Sequence, residues 1–222
     1  KMELADTIVF FVEIVGTVAF ALSGAVMAVQ RRMDIFGVLV LGVCTAVGGG
    51  IIRDILLGIT PPNTFRNPVY ALVAALASAL IFFVGKSEPE IIISNRIQNF
   101  ALFNFLDAMG LGIFTVVGIN TAINAGFEDN AFLQIFVGVT TGVGGGILRD
   151  MLAGVTPIVL RKQVYASAAF VGAVLYACSY PFINHWTAML LGAAVVVIIR
   201  MLAAKYLWNL PVAIPEDWPP KE

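Results

Sequence analysis

The sequence predicts an all-α polytopic membrane protein with seven transmembrane helices. Of its 222 residues, 59% are hydrophobic and only 12% are charged, and the mean hydropathy is +0.93. Soluble domains carry about 25% charged residues, so this composition indicates a membrane protein. Apolar runs of about 20 residues, the length that a helix needs to cross a bilayer, recur along the chain. An internal repeat then predicts how the helices are arranged.

Turn and charged residues divide the apolar sequence into seven segments. Arg31 closes segment one, Pro61 turns the chain after segment two, and the polar stretch 85–90 follows segment three. Pro157 and Pro181 close segments five and six because proline cannot continue a helix. The predicted segments are 5–29, 35–57, 68–84, 97–125, 131–153, 164–180 and 186–208.

Segments one to three are repeated as segments four to six. The core of the repeat is the stretch 48–61, which recurs as 144–157 with most positions identical. Each copy contains a Gly-Gly-Gly-x-x-Arg-Asp motif and ends in Thr-Pro. Because three helices are an odd number, the two copies cross the membrane in opposite senses. The sequence therefore predicts an inverted-topology repeat of three plus three helices, with an extra seventh helix of structural role.

All seven helices are assigned to one transmembrane domain, residues 1–210. Repeat one covers 5–86, repeat two covers 97–180, and the seventh helix covers 186–208. Residues 211–222 contain four prolines and are predicted to form a flexible C-terminal tail.

Lysines and arginines concentrate on one side of the predicted segments, the side that faces the cytoplasm. This bias predicts an N-terminus outside and a cytoplasmic C-terminus, and the short loops suit the plasma (inner) membrane of a prokaryote. The side with more lysines and arginines holds Arg31, Arg32, Lys86, Arg96, Arg161, Lys162 and Lys205. The side with fewer holds Lys1 and Arg66.

The glycine triplets are the first candidate functional feature. Consecutive glycines weaken a helix, and carbonyls freed at a kink are tolerated in a membrane where they line water. The alternative is close packing, since small residues let helices approach. The triplets are Gly48, Gly49 and Gly50 in repeat one, and Gly144, Gly145 and Gly146 in repeat two.

Charged residues within the apolar segments are the second candidate feature, because a charge in a membrane needs a partner or a polar interior. Neighbouring Arg and Asp residues point about 100° apart on a helix, so each arginine should find another acceptor. We expect two pairs, one toward each mouth of a single path; alternatively, the arginines snorkel to headgroups or cap a neighbouring helix. The expected pairs are Glu13–Arg53 and Asp107–Arg149, with Asp54 and Asp150 beside them.

Thr45 and Thr141 lie about one turn before the two triplets. Their hydroxyls either line the same path or donate to the carbonyl of the preceding turn, and the sequence leaves both open. No His/Cys cluster, His-Glu-x-x-His or Gly-x-Ser-x-Gly motif occurs, so we predict that the chain is not an enzyme. The net charge of −1 argues against nucleic-acid binding.

With seven segments, a three-plus-three repeat and a doubled Gly-Gly-Gly-x-x-Arg-Asp, the chain resembles the prokaryotic TRIC (trimeric intracellular cation channel) family. That family is also catalogued as a bacterial glycine-transporter-type membrane domain. The resemblance implies a homotrimer among membrane lipids, in which segments one, two, four and five line a pore within each subunit and segments two and five are kinked at their glycine triplets. It also implies permeation of monovalent cations, chiefly potassium, with potassium or sodium ions as permeants and no resident cofactor.

Two functions fit these observations. In a cation channel, Glu13 or Asp107 would neutralise the arginines of a continuous hydrated path. In a secondary transporter of a small zwitterion such as glycine, Arg53 or Arg149 would instead bind the substrate carboxylate. The family resemblance and the scarcity of other polar residues favour the channel, and the arginines favour the transporter. A scaffold protein is a third class.

Overall fold

The computed structural model describes residues 2–93, 96–161 and 164–208, and these residues form an all-helical bundle. The predicted tail, 211–222, lies outside the described residues. The helices are α1 (Met2–Gln30), α2 (Ile35–Leu56), α3 (Asn63–Arg66), α4 (Val69–Ser87), α5 (Pro89–Ile93), α6 (Arg96–Asn124), α7 (Ala131–Leu152), α8 (Ile158–Arg161), α9 (Ala166–Ser179) and α10 (His185–Tyr206).

Six of these helices, α1, α2, α4, α6, α7 and α10, are long and apolar enough to cross a membrane. The sixth predicted segment corresponds to α9, which has only 14 residues. The all-helical membrane architecture is thus confirmed, whereas a count of seven transmembrane helices stays a prediction.

The two repeats begin and end their second helices in the same way. The side chain of Asp34 accepts from the Gly37 amide before α2, and Asn130 accepts from the Leu133 amide before α7. Such N-caps satisfy amides that have no partner within the helix. Both helices are followed by a glycine of positive φ, Gly58 at 71° and Gly154 at 68°. These C-terminal turns fix where the Arg-Asp pairs lie relative to the loops.

Helices α1 and α6, which open the two repeats, pack in opposite directions. A side chain added at Gly16 would meet Ile113 and Phe114, whereas one added at Gly110 would meet Phe20. Later residues of α1 therefore face earlier residues of α6, so the two helices are antiparallel. The repeats are inverted, as the odd number of helices in each predicts.

Helices α2 and α7 cross where their glycine triplets meet. A side chain at Gly49 would run into the carbonyl of Thr141, and one at Gly145 would run into the carbonyl of Thr45. Both helices are continuous through their triplets. The prediction of a helix break with freed carbonyls is therefore wrong for these two helices, because the glycines serve close backbone packing instead. A bend without a break stays a prediction.

Candidate functional site

The first charged cluster (Glu13, Arg53, Asp54 and Tyr70) joins α1, α2 and α4. Arg53 Nη1 lies 3.9 Å from Glu13 Oε1, and Arg53 Nε donates to Asp54 Oδ1 at 2.8 Å. The Tyr70 hydroxyl donates to Glu13 Oε2. Glu13 therefore meets both the guanidinium and the phenol, and the predicted Glu13–Arg53 pair is present.

The second charged cluster (Asp107, Arg149, Asp150 and Tyr165) repeats this pattern at full burial. Arg149 Nη1 donates to Asp107 Oδ1 at 2.5 Å and to Ser23 Oγ at 2.7 Å. Arg149 Nε donates to Asp150 Oδ1 at 2.9 Å, and the Tyr165 hydroxyl donates to Asp107 Oδ1 at 3.3 Å. The side chains of Asp107 and Arg149 are both 0% exposed. The predicted Asp107–Arg149 pair is therefore present as well.

The prediction that neighbouring Arg and Asp side chains do not meet is wrong in both repeats. Their Cα–Cβ bonds do diverge along the helix. The long stem of the arginine nevertheless lets its Nε return to the adjacent carboxylate, as Arg53 does to Asp54 and Arg149 to Asp150.

Each aspartate also fixes the loop that follows its helix. Asp54 Oδ2 accepts from the amide of Asn63 at 2.7 Å, and Asp150 Oδ2 accepts from the amide of Ile158 at 2.8 Å. These amides open α3 and α8, where backbone donors have no partner within the helix. The aspartates, rather than the arginines, thus cap a neighbouring helix.

A polar cavity of about 290 Å³ opens beside the first cluster, between α1, α2, α4 and α6. The Glu13 side chain is 18% exposed there, and that of Arg53 is 8% exposed. The first cluster therefore touches an open cavity, whereas the second is sealed. The cavity is lined by Glu13, Thr17, Ala46, Val47, Gly50, Arg53, Asn63, Thr64, Arg66, Asn67, Tyr70, Phe114 and Thr121.

An apolar layer lies at the inner end of the cavity. The rings of Phe114, which lines the cavity, and Phe20 lie 5.4 Å apart between centroids. Phe20 is about one helical turn from Ser23, which contacts Arg149 of the second cluster. On α1 and α6 the two rings thus lie between residues that line the cavity and residues at the second cluster.

Not every candidate residue from the sequence lies at the cavity. Of the two triplets, Gly50 lines it, while the other glycines pack helices together. The hydroxyls of Thr45 and Thr141 each donate at 2.6 Å to the carbonyl one turn earlier, and both residues are buried. Of the two alternatives for these threonines, the structure therefore shows the bond to the preceding turn.

Sequence reasoning missed Arg200 on α10, which joins the second cluster. Arg200 Nη2 lies 3.7 Å from Asp107 Oδ2, and its guanidinium lies 4.6 Å from the centre of the Tyr165 ring. Arg200 is 1% exposed. A lone arginine within an apolar span was the available signal. The seventh segment is thus more than an added structural helix, since it supplies a charge.

The two tyrosines were also missed as cluster members. Tyr70 lies in the first turn of α4 and Tyr165 immediately precedes α9, at matching positions of the two repeats. That match was the signal, since a tyrosine repeated beside an intramembrane carboxylate offers it a hydroxyl donor.

Comparison with known proteins identifies the family. The family model described as "Glycine transporter" matches residues 10–86 and 104–181. The inner membrane protein YadS of Escherichia coli is 40% identical over 92% of this chain and 95% of its own. A crystal structure of a TRIC channel orthologue from Rhodobacter sphaeroides is 32% identical, with a TM-score of 0.81, over 90% of this chain and 98% of that one. The chain belongs to the prokaryotic TRIC family.

A second solved structure, described for conductance through TRIC cation channels, is 35% identical with a TM-score of 0.79. The match covers 93% of this chain and 97% of that chain. The resemblance drawn from the doubled glycine motif is therefore confirmed. The solved TRIC relatives are channels, so the prediction that this TRIC chain is not an enzyme is also confirmed.

Proposed function

We propose that this chain is a monovalent cation channel, permeable chiefly to potassium, with one pore within each subunit. The pore runs between α1, α2, α6 and α7, the predicted segments one, two, four and five. The observation that carries the proposal is the polar cavity beside the first cluster, which shares α1, α2 and α6 with this path. The solved relatives described as TRIC cation channels support the proposal.

The electrostatics of the first cluster favour cations over anions. Two carboxylates, Glu13 and Asp54, face the single guanidinium of Arg53. Arg66, a further cation at the cavity wall, is exposed and donates to the carbonyl of Thr60 at 2.7 Å. Within the cluster the two carboxylates outnumber the guanidinium, and Glu13 is the carboxylate that lines the cavity, where a cation can bind it. Arg53 is therefore compatible with cation entry because it is already neutralised.

The path continues through the layer of Phe20 and Phe114 to the second cluster. That cluster is fully buried, so the structure corresponds to a channel closed at this end. Opening requires the phenyl rings to separate and water to reach Asp107. The permeant ions are potassium or sodium, and the proposal includes no resident cofactor.

The assembly that we propose is a homotrimer surrounded by lipids of a prokaryotic inner membrane, with an external N-terminus and a cytoplasmic C-terminus. The trimeric state of the Rhodobacter sphaeroides orthologue and the name of YadS as an inner membrane protein support this assignment. The bias of lysines and arginines supports the orientation.

Transport of a small zwitterion is the second candidate function. Glu13 and Arg53 present opposite charges 3.9 Å apart beside the cavity, which suits an ammonium and a carboxylate on one small molecule. A cavity open at one end and sealed at the other also suits alternating access. Arg149 does not fit this role in the present state, because its guanidinium is buried against Asp107 and Ser23.

Purified protein in a planar bilayer under a potassium gradient separates the two functions. We expect discrete current steps that reverse near the potassium potential and do not respond to glycine. No current, together with saturable glycine uptake into liposomes of the same preparation, would instead establish the transporter. Light scattering of the detergent-solubilised protein tests the trimer independently.

A further inference from the structure

The two charged clusters differ by one ionised side chain. The first holds two carboxylates and one guanidinium, whereas in the second Arg200 adds another guanidinium to that of Arg149. Arg200 comes from α10, which lies outside the repeat. Among the described residues, Arg53 is the guanidinium that pairs with Glu13 and Asp54, while Arg66 lines the cavity and donates to the carbonyl of Thr60. The inverted repeat is therefore symmetric in its motif but unequal in its charge.

The second cluster is also packed more closely than the first. Thr17 lines the cavity beside the first cluster, and Leu111 occupies the matching position of repeat two. Leu111 is 0% exposed and belongs to the buried core that contains Tyr165. Arg200 lies over the Tyr165 ring. Aliphatic, aromatic and guanidinium groups thus fill the space that corresponds to the cavity in repeat one.

We propose that Arg200 sets conduction at the second end of the path, and this inference rests on the proposed channel function. Its guanidinium lies beside Asp107, the carboxylate to which a cation arriving at this end would bind. At Asp107 two guanidiniums offset the charge that would attract a cation, whereas Glu13 meets only that of Arg53. A cation passes only when Arg200 moves away from Asp107, so Arg200 acts as a bound substitute for the permeant ion.

Replacement of Arg200 by Gln tests this proposal. The first cluster indicates that such a cluster tolerates a single guanidinium, so the variant should assemble. We expect potassium flux into liposomes to rise roughly tenfold, as a barrier lower by about 1.4 kcal/mol predicts. The matched control is Lys205→Gln, which removes the same charge from an exposed position on the same helix and should leave flux unchanged. Equal flux in the unaltered chain and Arg200→Gln would overturn the proposal.

Arg200→Lys covers the case in which the glutamine variant does not assemble. Lysine keeps the charge but loses the planar group that stacks on Tyr165, so flux should rise by a smaller factor. Flux equal to that of the unaltered chain would then count against Arg200.

A readout without ion flux separates this proposal from the channel function. Leu111→Cys, one turn from Asp107, is combined with Cys44→Ala and Cys178→Ala and treated with a membrane-impermeant thiol reagent. We expect labelling only when Arg200 is also replaced by Gln. Labelling that does not depend on Arg200 would refute its role as a seal. If labelling depends on Arg200 but no variant conducts ions, the seal stands and the channel function fails.

Discussion

Gly49 of repeat one and Gly145 of repeat two meet backbone to backbone at the crossing of α2 and α7. A Cβ atom at Gly49 would lie 3.3 Å from the amide nitrogen of Gly145 and closer still to the carbonyl of Thr141. Gly50, the next residue, faces open space, where the nearest atom to an added Cβ is Arg53 Nη2 at 3.8 Å. Neighbouring glycines of one triplet therefore have different roles.

The first prediction compares alanine at these two glycines. Gly49→Ala should separate α2 from α7 and abolish recovery of the folded protein, because backbone atoms cannot move aside as side chains do. Gly50→Ala should be tolerated and can gain about 0.5–1 kcal/mol of stability, since alanine loses less entropy in a helix than glycine. Thermal melting followed by gel filtration measures both. Equal melting temperatures for the two variants would contradict this account of the crossing.

The second prediction concerns the charge at the base of the cavity. Glu13→Gln removes the carboxylate that lines the cavity and leaves the guanidiniums of Arg53 and Arg66 there. Single-channel potassium conductance should fall about threefold or more as the attraction of cations weakens. Glu88→Gln, an exposed position in the loop after α4, is the control for net charge. A conductance that falls equally in both variants would assign the effect to overall charge.

The third prediction concerns the hydroxyl that Glu13 accepts from Tyr70. Tyr70→Phe removes this donor but keeps the ring, so Glu13 gains freedom to bind a cation in the cavity. We expect a longer dwell time of potassium at this site, seen as a conductance that saturates at lower potassium concentration. Tyr206→Phe, exposed at the end of α10, is the matched control. An unchanged saturation curve would show that Tyr70 only packs against its neighbours.

The fourth prediction concerns the buried carboxylate of Asp150. Asp150→Ala removes acceptors from both Arg149 and the Ile158 amide, leaving a buried charge with fewer partners. Breaking a buried pair in this way costs about 3–5 kcal/mol, so the melting temperature should fall by several degrees. Asp129→Ala, in the exposed loop before α7, should melt like the unaltered chain. Unaltered melting of Asp150→Ala would contradict its role in linking α7 to α8.

The helices and the two ion pairs could be predicted from the sequence because they depend on patterns that the repeat displays twice. Apolar length and turn residues marked the helices, and the need of each intramembrane charge for a partner, repeated in two copies, suggested Glu13–Arg53 and Asp107–Arg149. The contact of each arginine with its neighbouring aspartate could not be found from helix geometry alone. Backbone directions fix where Cβ points, but they do not fix the end of a long side chain.

The difference between the two ends of the path could not be predicted from the repeat. The motif is the same in both copies, so it carries no information about which end is open. The difference depends on two features. Repeat one has Thr17 where repeat two has Leu111, and Arg200 reaches the second cluster from α10. Likewise, a glycine triplet predicts helix weakness as readily as close packing. Only the position of the facing helix decides between them.

Helix α9 gives the molecule an uneven fit to its bilayer. Its 14 residues rise about 21 Å, whereas α10 beside it, with 22 residues, rises about 33 Å. A hydrocarbon layer of about 30 Å matches α10 but exceeds α9, so the bilayer must thin locally where α9 spans it as the predicted sixth segment. The deformation costs fractions of a kcal/mol per ångström and grows with acyl-chain length. A thicker membrane therefore increases the mismatch at α9, which begins next to Tyr165. The lipid composition thus acts on the second cluster through this helix.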